Sequence, residues 1–103
     1  MQVDKLLKTF FQIVKEPLSQ KAKDGAREQA HAYIIARHIS GGKVMAGDCL
    51  WQMAIGTIHE GEPTVSRQAL ARLEAAVPMF NDCPDLIVLT TQHTTGDERW
   101  TKN

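Results

Sequence analysis

The sequence has few of the features that usually identify a function. Of its 103 residues only two are cysteines and 6% are aromatic, while 12 basic residues balance 12 acidic ones. Balanced charge argues against a large surface for phosphate or nucleic acid, and no apolar run approaches the roughly 20 residues of a membrane span. The cysteines form no CxxC pair, which argues against a finger-like metal site. We therefore expect neither a metal nor a cofactor.

The remaining composition is that of an ordinary globular protein. Hydrophobic residues make up 43% of the chain and charged residues 23%, which predicts one helical domain over 1–103. Lysines interrupt the amino-terminal apolar residues, so this segment does not resemble a signal peptide. We accordingly expect a cytoplasmic protein in which Cys49 and Cys83 are buried, reduced thiols.

Proline and glycine divide the chain into four helical segments and a tail. The segments cover about 3–15, 19–39 and 42–59, and a fourth begins at a Thr64 or Ser66 cap and ends at Pro78 or just beyond. Residues 86–91 are aliphatic and β-branched, which favours a strand. The predicted fold is mainly α, a compact bundle of four helices with a short β-prone segment at 85–103 that could form a hairpin.

The third segment is apolar nearly all round, which is typical of a buried helix. We therefore predict that it is the centre of the bundle and that Trp51 and Ile55 are almost fully buried. The second segment has small residues that should let it pack closely on the third. This predicted small-residue face contains Ala22, Gly25, Ala26, Ala30, Ala32 and Ala36, together with Tyr33 and Ile39.

Three polar residues interrupt the apolar third segment. Asp48, Gln52 and His59 form a narrow strip, and a carboxylate beside an imidazole can raise its basicity. The strip could line the pocket of an enzyme or ligand-binding bundle. It could equally be the line where the central helix meets water, since no nucleophile lies nearby in sequence.

The tail carries the residues that we predict to contact a partner. A lone strand leaves backbone groups unpaired, so residues 86–91 should pair with 98–102, with a second copy of the chain, or with a target protein. Trp100 in the polar tail could serve as an apolar anchor. Arg37 lies close to the apolar arc of its helix and needs a partner such as Glu60, Glu62 or Asp48. The predicted contacts with a partner are Leu86, Val88, Arg99, Trp100 and Arg37.

The segment 64–77, TVSRQALARLEAAV, resembles the recognition helix of GntR-type winged-helix regulators. The resemblance implies that Ser66, Arg67 and Gln68 approach DNA at the start of this helix, with 86–102 in the place of a wing. From Lys43 onwards, however, the chain holds five basic and eight acidic residues, a net charge of −3. This charge disfavours a nucleic acid partner.

Three classes of function follow from these observations. The favoured class is a small non-enzymatic protein-interaction module, an adaptor, inhibitor or regulator that binds a partner protein or a second copy of itself. The first alternative is a winged-helix-like DNA-binding transcriptional regulator that uses the helix starting at Ser66. The second is a helical-bundle enzyme or ligand-binding protein with Asp48, Gln52 and His59 around a pocket.

Overall fold

The computed structural model describes residues 2–56, 58–59, 62–63, 65–83 and 86. Within them the chain is mainly helical, which confirms the predicted fold class. Between the third and fourth helices, β1 (Ile58–His59) pairs antiparallel with β2 (Glu62–Pro63). The helices are α1 (Gln2–Val14), α2 (Gln20–Ser40), α3 (Ala46–Ile55) and α4 (Arg67–Phe80).

Helix α3 is shorter than the predicted segment 42–59. Met45 precedes its first turn with an extended backbone, at φ −107° and ψ 118°, and Gly56 follows its last residue. Val44 is buried although it lies outside any helix. The apolar sequence before α3 therefore predicted the burial of Val44 correctly, but it did not predict where the helix begins.

Helix α3 nevertheless lies at the centre, as predicted, with its most extensive contacts to α2 and α4 and a smaller contact with α1. The prediction for Trp51 and Ile55 was wrong, because both are only half-buried. Other side chains of α3 fill the core: Cys49, Leu50, Met53 and Ala54, all 1% exposed or less. From the other helices the best-buried side chains are Val3, Leu6, Phe10, Val14, Ala26, Ala30, Ala69 and Leu73.

Helices α3 and α4 approach most closely at Gly47. A Cβ atom built there would lie 2.1 Å from the carbonyl oxygen of Val77, so only glycine fits. Asn81, the residue that ends α4, accepts a hydrogen bond at 3.1 Å from the backbone N–H of Asp48. Since Met45 has no side-chain oxygen to cap α3, Asn81 supplies the cap from the neighbouring helix.

Helix α4 does not end at Pro78, which was one of the predicted stops. It continues to Phe80, and Asn81 donates its N–H to the carbonyl of Val77 at 3.1 Å, so a helical hydrogen bond closes beyond the proline. The guanidinium of Arg72 donates to the carbonyls of Ile13 and Val14. These are carbonyls that the end of α1 leaves without helical partners, so Arg72 ties α4 to α1.

Candidate functional site

The predicted polar strip does not lie along one helix. Asp48 and Gln52 are half-buried and one turn apart on α3, but α3 ends at Ile55 and His59 belongs to β1. The His59 side chain lies outside the described residues. The expectation of three side chains on one continuous helix face was therefore wrong, because the helix is too short to include His59.

The two cysteines differ in environment. Cys49 is fully buried, and Cys83 is half-buried and donates its S–H to the carbonyl of Met79 at 3.7 Å. Burial, and secondarily the negative charge of Asp48, raises the pKa of Cys49 to about 12. The thiol thus keeps its proton at neutral pH and cannot act as a nucleophile. Both cysteines are free, but the prediction that both are buried holds only for Cys49, because Cys83 is half-buried.

The start of α4 is already occupied by a carboxylate. Glu16 accepts hydrogen bonds at 2.8 Å from both the backbone N–H and the hydroxyl of Ser66. The same hydroxyl caps the helix by accepting from the N–H of Ala69 at 3.1 Å. Arg67 and Gln68 are exposed, as the DNA hypothesis requires. Ser66, however, is engaged within the chain, and the Glu16 carboxylate repels a phosphate from this helix start.

Arg37 reaches an aromatic ring. Its guanidinium carbon lies 5.3 Å from the centre of the Tyr33 ring, an arrangement typical of a cation–π contact. The Tyr33 hydroxyl accepts from the N–H of Met45 at 3.4 Å, which fixes the ring between α2 and the start of α3. The Arg37 side chain is exposed and therefore free for a partner on its outer side.

Of the tail residues predicted to contact a partner, the structure describes Leu86. Its side chain is 7% exposed and belongs to the hydrophobic core, and its N–H donates to the carbonyl of Cys83 at 3.2 Å. Leu86 therefore packs within the chain in a turn, which corrects its assignment as an extended residue that contacts a partner. Val88, Arg99 and Trp100 lie outside the described residues.

The predicted small-residue face of α2 divides into two. Ala22, Ala26 and Ala30 are buried, and this buried row continues to Ile34. Ala32, Ala36 and Ile39 are exposed, so the expectation that they pack on α3 was wrong, whereas the half-buried Tyr33 does reach the start of α3. The exposed row, here called the α2 outer face, contains Ala32, Ala36 and Ile39 with the half-buried Ile35 beside them.

The α2 outer face is apolar and has the spacing of a helix-packing surface. Ile39 is 78% exposed, one of the two large apolar side chains with this degree of exposure in the described part of the chain. At 100° per residue, Ala32, Ile35, Ala36 and Ile39 fall within an arc of about 100°. Their spacing of three and four residues is that of side chains that pack into a neighbouring helix. A helical wheel of 20–40 would have separated this row from the buried one.

The described residues contain no group of three or more histidine, cysteine, aspartate or glutamate side chains placed to hold a metal ion. None of the helices in the same residues is both long and apolar enough to cross a membrane. Comparison of the chain with protein-family models, with curated proteins and with solved structures finds no match.

Proposed function

We propose that this chain is a small non-enzymatic protein-interaction module that acts by binding a partner protein. The observation that carries the proposal is the α2 outer face, an apolar row on a helix whose carboxy-terminal end projects from the bundle. Residues 36–43 are all exposed, so a partner can approach this end of α2 without displacing any part of the core.

The composition of the α2 outer face suits a helical partner. Ala32 and Ala36 have small side chains, which let two helix backbones approach closely, and Ile39 supplies the apolar area to be buried. A partner helix that lays its own apolar side against this row would use the helix-in-groove type of recognition. Single exposed apolar residues are common on protein surfaces, so the argument depends on the row and not on Ile39 alone.

The tail is the second predicted element of this function. Val88, Arg99 and Trp100 are proposed to add contacts to the partner, with Trp100 as the aromatic anchor. Arg37 is exposed beside Tyr33 and is proposed as a further polar contact, on the other side of α2 from the outer face. Leu86 is not included, because its side chain packs in the core.

The test of the proposed function compares two matched alanine-to-glutamate variants. Ala36→Glu places a carboxylate in the middle of the α2 outer face, while Ala71→Glu makes the same change at an exposed position of α4. Glutamate is a good helix former, so both variants should keep the stability of the parent to within about 0.5 kcal/mol. This is checked first by thermal unfolding.

Each tagged protein is then used to capture proteins from a lysate, with and without nuclease. We expect the captured protein to be lost with Ala36→Glu, kept with Ala71→Glu and unaffected by nuclease. Trp100→Ala in the full chain should weaken capture if the tail contributes. Equal capture by Ala36→Glu and Ala71→Glu would refute the proposed surface. Capture that disappears with nuclease would instead support the DNA hypothesis and its contacts at Arg67 and Gln68.

A further inference from the structure

Four half-buried apolar side chains follow the junction of α3 and α4. Trp51 and Ile55 come one and two turns after Gly47, on nearly the same side of α3. Leu70 comes two turns before Val77, on the same side of α4. Gly47 and Val77 meet at the closest approach of the two helices. The junction, here called the α3–α4 groove, is therefore lined by Trp51, Ile55, Leu70 and Val77.

The α3–α4 groove runs the length of α3. The two helices are antiparallel, because the start of α3 meets the end of α4 and residues 56–66 connect their other ends. The ten residues of α3 span about 15 Å. Each of the four lining side chains is still partly exposed, so the groove has apolar area that a further segment can bury.

The chain leaves the core at one end of this groove. Cys83 donates its N–H to the carbonyl of Phe80 at 3.1 Å, and Leu86 donates to the carbonyl of Cys83 at 3.2 Å. These turns follow α4 directly, where Asn81 binds the N–H of Asp48 at the start of α3. Leu86 itself packs in the core. The next residues therefore start where the beginning of α3 meets the end of α4.

The segment after Leu86 suits the groove in length and in chemistry. Residues 87–103 lie outside the described residues, and the first five of them are IVLTT. Five residues in an extended conformation span about 16 Å, close to the length of α3. Side chains alternate along such a segment, so Ile87 and Leu89 share one side and Val88 takes the other. Burial of the aliphatic side chains favours contact with an apolar surface.

We propose that the α3–α4 groove binds an extended aliphatic segment and that its occupant is residues 87–91 of the same chain. Ile87 and Leu89 pack against Trp51. Val88 remains on the outer side, where the proposed function requires it. The direct connection to the core gives this segment an effective concentration on the order of 1 mM, an advantage over any separate protein. The proposal goes beyond the proposed function and does not depend on the α2 outer face.

The fluorescence of Trp51 tests the proposal in the full chain. The sequence has two tryptophans, so Trp100→Phe leaves Trp51 as the single emitter, and circular dichroism first checks that each variant is folded. In this background Leu89→Asp should shift the emission to longer wavelength and increase quenching by iodide, because a carboxylate is expelled from the groove and uncovers the ring. Val88→Asp should leave both signals unchanged. Signals that respond to neither substitution, or equally to both, would overturn the proposal.

A separate peptide provides the second measurement. It copies residues 87–98, which contain no tryptophan, and is added at up to about 1 mM to the Leu89→Asp variant. The peptide should reverse the emission shift and the increased quenching of Trp51, whereas the same peptide carrying Leu89→Asp should not. A peptide without effect at this concentration would refute the proposal, because the effective concentration of the chain's own segment is of the same order.

Discussion

Replacing Gly47 with alanine should force α3 and α4 apart. The added Cβ would lie 2.1 Å from the carbonyl oxygen of Val77 and 2.7 Å from the Oδ1 atom of Asn81, where ordinary contact begins near 3.4 Å. The first of these atoms belongs to the backbone of α4, so it cannot rotate out of the way. The two helices must therefore separate, which also lengthens the hydrogen bond from the N–H of Asp48 to Asn81.

The expected size of the effect comes from opposing terms. Alanine is favoured over glycine in a helix by about 1 kcal/mol. Overpacking of a tight contact costs about 1–3 kcal/mol, and loss of the capping hydrogen bond adds about 1 kcal/mol. We expect Gly47→Ala to lower the free energy of unfolding by about 2 kcal/mol, which corresponds to a fall of roughly 8–16 °C in Tm for a chain of this size.

Urea and thermal unfolding followed by far-ultraviolet circular dichroism provide the measurement. Gly42→Ala is the control, because its Cβ would meet only side-chain atoms, with Ser40 Oγ nearest at 3.3 Å and Arg37 atoms at 3.5 Å. This variant should stay within about 0.5 kcal/mol of the parent. If Gly47→Ala is as stable as the parent or more so, helix propensity outweighs packing, and the close approach of α3 and α4 is refuted.

Three further predictions concern caps and burial. Asn81→Ala should lower stability by about 1 kcal/mol through loss of the cap on α3, whereas Asp82→Ala should change it little. Arg72→Met should cost about 1–3 kcal/mol because partly buried carbonyls at the end of α1 lose their donor, with a substitution of the exposed Arg67, Arg67→Met, as the control. Burial raises the pKa of Cys49 to about 12, so above about pH 9 the unfolded chain loses a proton that the folded chain keeps. The free energy of unfolding of the parent should therefore fall above this pH by up to about 1.4 kcal/mol per pH unit. Cys49→Ala should lack this additional fall, which urea unfolding of both proteins between pH 8 and 10 measures.

The sequence predicts α1 and α4 well because local signals and burial agree in them. The apolar positions of α1 recur at helical spacing, and those at Val3, Leu6 and Phe10 are all buried. In α4 a serine cap at Ser66 begins the helix, one of the two starts predicted. The close approach at Gly47 and the capping of α3 by Asn81 were not predicted. They depend on how two helices cross, and sequence spacing carries no information on that.

The candidate site was predicted less well than the fold. Asp48, Gln52 and His59 have the right spacing for one polar strip only if the helix extends to His59, and it ends at Ile55. Trp51 was assigned to the core by its position on an apolar helix, whereas the fully buried positions of α3 hold smaller residues such as Cys49 and Ala54. Helical periodicity shows which residues share a face, but it does not show how far the helix runs or how large a side chain the core can hold.

The length of α3 explains why the carboxy-terminal end of α2 is exposed on all sides. A helix over 42–59 would be about 27 Å long, close to the roughly 31 Å of the 21-residue α2, and could shield much of it. The ten residues of α3 span only about 15 Å. They contact the middle of α2, where Gln29 lies against Gly56 and Tyr33 against Met45. The last turn of α2 extends beyond this contact, and its residues 36–40 are all exposed, whichever side of the helix they occupy. The α2 outer face lies on the side of α2 opposite the buried row, so its exposure follows from the side on which α3 packs and not from the length of α3.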